Sequence, residues 1–147
     1  MTQPLRMTFD HLGVVCKGIS VGRPHMVSVF GVRQWTDSFV DPIQKVVVQF
    51  GSDPSGIVYE LIEPSGPDSP IAATLVKGQN LLNHVAYRVP DLEQAARDLR
   101  AKRCMPLGPA APATAFGGNH IQFFLTPLRF ILELIQGQLP PHEFHEL

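Results

Sequence analysis

Residues 48–62 read VQFGSDPSGIVYELI and residues 121–135 read IQFFLTPLRFILELI, so the chain writes nearly the same line twice. Gln49 and Gln122, Phe50 and Phe123, Pro54 and Pro127, Glu60 and Glu133, and the pairs Leu61-Ile62 and Leu134-Ile135 are all separated by the same 73 positions. Carried back to the start of each copy, that offset sets FDHLGVV at 9–15 on LNHVAYR at 82–88, and His11 falls on His84. The span from His11 to Ile62 therefore recurs without a net insertion. Two modules, about 8–66 and 81–137, made by duplication, account for this; two copies are too few for a solenoid.

Each module alternates strand and helix signals. TFDHLGVVC, KVVVQF and IVYELIEP in the first, and NHVAYRV, HIQFFL and FILELIQ in the second, are short runs rich in Val, Ile and Phe, the composition of strands. In the second module Asp91, three residues ahead of Gln94, caps a helix on which Leu92, Ala95, Ala96 and Leu99 recur at helical spacing. The matching stretch of the first, GISVGRPHMVSVFGV, carries Pro24 and three glycines, which predicts only a short or irregular helix. Between the modules EPSGPDSPIAATLVKG opens with turn residues and becomes helical from about Ser69, a linker helix. The order strand, helix, strands, twice over, gives the α+β class, with sheets that curl together and helices outside.

The glutamates are the chemical signal. In IVYELI and FILELI the neighbours are apolar on both faces of the strand, so Glu60 and Glu133 cannot point into open water without exposing Val58 and Ile62, or Ile131 and Ile135. Both carboxylates are expected to line an enclosed cavity, where a bare charge costs several kcal/mol unless it is paired or binds a metal. Neither strand holds a Lys or Arg. His11 and His84, each in the first strand of the module whose last strand carries the glutamate, are the compensating groups. Two imidazoles and two carboxylates form a site whose charge balances one divalent cation. Singly, each His or Glu reads equally as a hydrogen-bonded core residue or a side chain reaching the rim; recurrence at one offset favours ligands. Gln49 and Gln122 are compatible both with cavity lining and with strand packing.

The rest of the composition narrows the class. With 147 residues, 44% hydrophobic and 17% charged, the chain can bury an adequate core, and a net charge of -1 with dispersed Lys and Arg gives no reason to bind nucleic acid or an acidic membrane surface. MTQPLRMTFD lacks the apolar core of a signal peptide, and no run approaches a membrane span, so a cytoplasmic protein is expected. Cys16 and Cys104 stand far apart and read as two reduced thiols.

DHLGVV, YELIEP, NHVAYRV and LELIQ resemble the motifs of the vicinal oxygen chelate superfamily, which includes glyoxalase I, extradiol dioxygenases, fosfomycin and bleomycin resistance proteins, and methylmalonyl-CoA epimerase. The resemblance covers about residues 8–137. It implies paired βαβββ modules forming a curled mixed sheet around a central cavity, with His11, Glu60, His84 and Glu133 as ligands of one divalent ion: nickel, cobalt, zinc, manganese or iron. ELIEPSGPDSPIAATLVKG followed by NHVAYRV, and PATAFGGNHIQFFLTP, are most similar to the epimerase branch. Two features depart from that branch. Where its pattern has a second acid, this chain has Ile43 and Gln44, with Asp41 the nearest carboxylate, and its usual His-His pair is Asn83-His84.

The resemblance implies proton transfer next to the carbonyl of a small acyl thioester, CoA among the carriers, or of an oxyacid, in a homodimeric enzyme. A Lewis acid lowers the pKa of the adjacent C–H, and Glu133, or by symmetry Glu60, serves as base. Inversion needs a second group on the opposite face, a role open to Asp41. Glyoxalase-like isomerisation, dioxygenase chemistry and metal-free ligand sequestration are the alternatives. Trp35 and Phe39 read as cavity wall or core. Arg97, Arg100, Lys102 and Arg103 read as a solvated helix end, with contact to an anionic carrier as the alternative. His142 and His145, in PPHEFHEL, read as mobile surface residues rather than ligands.

Overall fold

The His-bearing strands β1 (Thr8–Val15) and β6 (Leu82–Val89) run side by side and antiparallel in a computed structural model that describes residues 3–137 and 142–146. The Glu-bearing strands flank them: β5 (Val58–Pro64) lies parallel to β1 and β10 (Ile131–Gln136) parallel to β6. Parallel neighbours cannot be joined by a hairpin, so each pair encloses a crossover that carries a helix. The first holds α1 (Ile19–Phe30), β2 (Gln34–Trp35), β3 (Phe39–Asp41) and β4 (Val46–Ser52). The second holds α3 (Leu92–Ala101), β7 (Met105–Pro106), β8 (Ala111–Pro112), a 3-10 turn at Thr114–Phe116 and β9 (His120–Leu125). Between the halves lies α2 (Ala72–Lys77), and β11 (His145–Glu146) ends the described chain. The result is an α+β fold of two paired βαβββ units, with one curled mixed sheet in the order β11-β2-β4-β5-β1-β6-β10-β9-β7; β3 adds to β4 and β8 to β9. The units pair within one chain, through β1 and β6.

The helices cover the outer face. α1 packs Ile19 and Met26 against Trp35 and Leu61, and α3 packs Leu92, Ala95, Ala96 and Leu99 against Phe124, Leu132 and Leu134. A separate inner cluster holds Val46, Val48, Phe50, Ile62, Phe116, Ile121 and Ile135. Leu61 and Ile62, adjacent in β5, thus belong to different layers, which is why apolar residues flank each glutamate on both faces of its strand.

The expectation of a short or irregular first helix is corrected: α1 runs 12 residues. Pro24 sits in its second turn, where it forgoes the bond an N–H would give to the Ser20 carbonyl and crowds that carbonyl with its ring, and packing of Ile19 and Met26 outweighs that local cost. The helix N-termini are held by the repeat itself. The Ile19 amide donates to Glu63 Oε1 at 3.2 Å and the Leu92 amide to Gln136 Oε1 at 2.7 Å, equivalent positions in the two halves. Asp91 caps α3 through the Gln94 amide at 3.1 Å, as its spacing predicts. Gln49 and Gln122 donate to the Thr36 and Gly108 carbonyls at 2.7 and 2.9 Å, so they brace loops and do not line the central cavity. Among the described residues no helix is long and apolar enough to cross a membrane.

Candidate metal centre

Strand register brings the four predicted ligands together. Across β5, β1 and β6, Glu60 aligns with Gly13, which aligns with His84. Across β1, β6 and β10, His11 aligns with Ala86, which aligns with Glu133. His11 and Gly13, and likewise His84 and Ala86, are two residues apart, so period-2 alternation puts all four functional side chains on one face. Each His and Glu is separated laterally by a residue with little or no side chain. Gly13 has a specific reason to be small: a Cβ there would penetrate the His84 imidazole.

All four groups are buried, at 0% exposure for His11, 6% for Glu60, 5% for His84 and 2% for Glu133. His11 Nδ1 lies 2.7 Å from Asp10 Oδ2, and His84 Nδ1 lies 2.9 Å from Asn83 Oδ1. Both partners are acceptors, so each Nδ1 carries a proton, and Nε2, the nitrogen turned inward, is the one free to offer a lone pair when the ring is neutral. The two Nε2 atoms stand 3.2 Å apart. Glu60 Oε1 is 3.3 Å from both, and Glu133 Oε1 is 3.2 Å from His11 and 3.1 Å from His84. Glu133 Oε1 is buried without a hydrogen bond.

Four acceptor atoms facing one another at such separations repel unless a cation sits among them. The residues fit a metal. Four such atoms, all within 4.8 Å of one another, are imidazole nitrogens and carboxylate oxygens, a donor set that suits one divalent ion. Protons are the competing cation. Burial opposes charging His11, but the Glu60 carboxylate and contacts with Asp10 and Glu133 push its pKa well above the usual value; His84 is raised too, against burial, by Glu133 and Glu60. Burial alone would raise the Glu60 pKa, yet the two imidazoles hold it below the ordinary carboxylate range.

Asp10 supports this centre, and the sequence reading missed it. Buried beside His11, its Oδ2 also accepts from His142 Nε2 at 2.7 Å, while its Oδ1 lies 3.1 Å from Arg88 Nε. Burial would raise its pKa, but the His11 and His142 bonds keep it well below the carboxylate range. The surface reading of His142 is therefore corrected: its side chain is 6% exposed and its ring lies 4.2 Å from that of Phe50. His145 does remain exposed, on β11. Asp10 and Asn83 were findable, since each directly precedes a repeated His at the same offset. Nothing in the sequence links position 142 to position 10.

Glu60, His84 and Glu133 form part of the wall of a cavity of about 510 Å³, otherwise lined mainly by apolar side chains such as Val46, Val48, Ile71, Phe116 and Phe123. Asp41 lines it too, outside the quartet: its Oδ1 accepts from the Ile43 and Gln44 amides at 3.0 and 2.9 Å, and its Oδ2 faces the Thr114 amide at 3.4 Å. Ile43 and Gln44 are also in this wall. Trp35 and Phe39 belong to the core clusters. Arg97 pairs with Glu93 at 3.2 Å and, with Arg100, borders a separate cleft outside α3 that does not reach the quartet.

Residues 10–123 match the Glyoxalase/Bleomycin resistance protein/Dioxygenase superfamily, and the chain belongs to it. The match includes His11, Glu60 and His84 and stops short of Glu133, which the fold supplies. No curated protein sequence gives a match. Among solved structures, methylmalonyl-CoA epimerase from Mycobacterium tuberculosis is similar with a TM-score of 0.76 at 21% identity, covering 95% of this chain and 94% of that one. A methylmalonyl-CoA epimerase in complex with methylmalonyl-CoA and NH4+ gives 0.75 at 21%, covering 93% and 99%. A variant of the Streptomyces coelicolor epimerase in complex with 2-nitronate-propionyl-CoA gives 0.73 at 22%, covering 90% and 95%. At these identities the likeness is one of fold.

Proposed function

We propose that the protein is a metal-dependent enzyme that moves a proton next to the carbonyl of a small acyl thioester or oxyacid. The carrying observation is the convergence of four buried acceptor atoms, three of whose residues open onto the cavity. His11, Glu60, His84 and Glu133 would hold one divalent ion, which supplies a Lewis acid for a substrate carbonyl. The apolar wall excludes water from a substrate and leaves few competing hydrogen bonds. Glu133, buried in the cavity wall, takes the proton from carbon and returns it. Glu60 is its equivalent on the other side of the repeat.

Stereochemical inversion asks for a second donor. Among the described lining residues Asp41 is the only carboxylate outside the quartet, and its oxygens face backbone amides. The arrangement therefore favours proton transfer on one face over inversion. The epimerase likeness makes methylmalonyl-CoA the first substrate to test. In heavy water, metal-loaded protein is expected to exchange deuterium into the carbon next to the carbonyl without consuming oxygen, read by mass spectrometry and an oxygen electrode. Oxygen uptake with a catechol and no exchange with any 2-acyl thioester would place the chain among dioxygenases instead.

A further inference from the structure

We infer that residues 142–146 support the metal centre, with His142 as a positioning residue that acts on His11 through Asp10. This rests on the metal reading above. Asp10 Oδ2 accepts from His11 Nδ1 and His142 Nε2, both at 2.7 Å, while Arg88 lies on its other oxygen. Polar groups on both oxygens fix the plane of a carboxylate, and a fixed carboxylate fixes the tautomer and direction of the imidazole that donates to it. The result is a His11 Nε2 lone pair aimed at the centre. Among the described residues His84 has no such brace, only the neutral Asn83 amide. The two ligand histidines, equivalent by repeat, are thus held unequally, and the difference comes from a segment outside the repeat.

His142 is itself held. Its ring packs on Phe50 and Phe144, Phe144 packs on the inner core, and His145 and Glu146 pair with Trp35 and Gln34 of β2. Toward Asp10 His142 acts through a single donor atom, Nε2 at 2.7 Å. A side chain that keeps an N–H but no charge should then replace it.

The test is a Co2+ titration of the metal-free full chain, read by visible absorption and calorimetry. His142→Phe keeps the ring packing and removes the donor; the expected result is Co2+ affinity weaker by about 10–100-fold with an altered absorption envelope. His142→Gln keeps an N–H and is expected to restore affinity to within about 5-fold of wild type. Wild-type affinity in His142→Phe overturns the inference, as does equal weakness in both variants, which would mark packing rather than donation. If His142→Phe does not fold, Asp10→Asn combined with His142→Leu, which also lacks the donor, decides it: non-additive losses of affinity support coupling through Asp10, and additive losses overturn it. Failure of the wild-type chain to bind Co2+ overturns the metal reading itself and is seen separately.

Discussion

Glu133 and Asp41 are both buried carboxylates in one cavity, and their surroundings differ. Glu133 Oε1 faces the His11 and His84 imidazoles at 3.2 and 3.1 Å, whereas Asp41 receives backbone amides that close the turn after β3 and tether the 3-10 turn at Thr114. Glu133→Gln keeps an oxygen ligand but removes the base, so turnover should fall by about 100-fold or more while much of the metal is retained. Asp41→Asn keeps the acceptor oxygen and is expected to cost less than about 10-fold in turnover; Asp41→Ala removes the acceptor of these half-buried amides and should cost about 0.5–1.5 kcal/mol in a denaturant titration. A 100-fold loss in Asp41→Asn would restore it as the second base. The convergence of the four residues was legible because recurrence at one offset lifts a buried Glu or His above its ordinary structural reading. Their supports were only half legible: Asp10 and Asn83 sit beside the ligands in sequence, while His142 arrives through a tertiary contact that no local pattern encodes.

At the level of elements, β1 and β6 place the two histidines, and Gly13 sets how closely His84 approaches β1. Gly13→Ala should displace the imidazole, weakening metal binding by at least about 10-fold, the scale of disturbing a ligand's orientation. Ala86, the equivalent residue, already carries a Cβ opposite His11, so Ala86→Gly should leave affinity nearly intact. Metal titrations of both variants check this asymmetry, and equal behaviour would refute it. The six long strands and α3 were legible from period and composition because their buried faces repeat over enough residues. α1 was read too weakly, since Pro24 and the glycines speak for local cost and say nothing of the packing that Ile19 and Met26 gain on β5. The two- and three-residue strands β2, β3, β7, β8 and β11 carry no period and are fixed by their neighbours in the sheet.

Over the whole molecule, folding gathers two carboxylates and two imidazoles into an interior that needs a cation, and proton and metal compete for that place. His11 and His84 have raised pKa values in the metal-free fold, so their contribution to stability is complete below about pH 6.5 and is lost as pH rises through those values. Glu60 and Asp10 are lowered, so theirs is present above about pH 4.5 and lost as pH falls through the depressed values. The metal-free protein should therefore lose melting temperature from near neutrality upward, and the stabilisation on adding metal should grow with pH. Thermal melts in chelator and in excess cobalt across that range show whether it does. The most direct measurement is the metal content of the purified protein, by elemental analysis beside His84→Ala. The account predicts about one divalent transition-metal ion per wild-type chain and loss of most of it from the variant. No metal in the wild-type protein, together with no change in melting temperature on adding nickel, cobalt, manganese or zinc, would contradict it and leave a cavity that only sequesters its ligand.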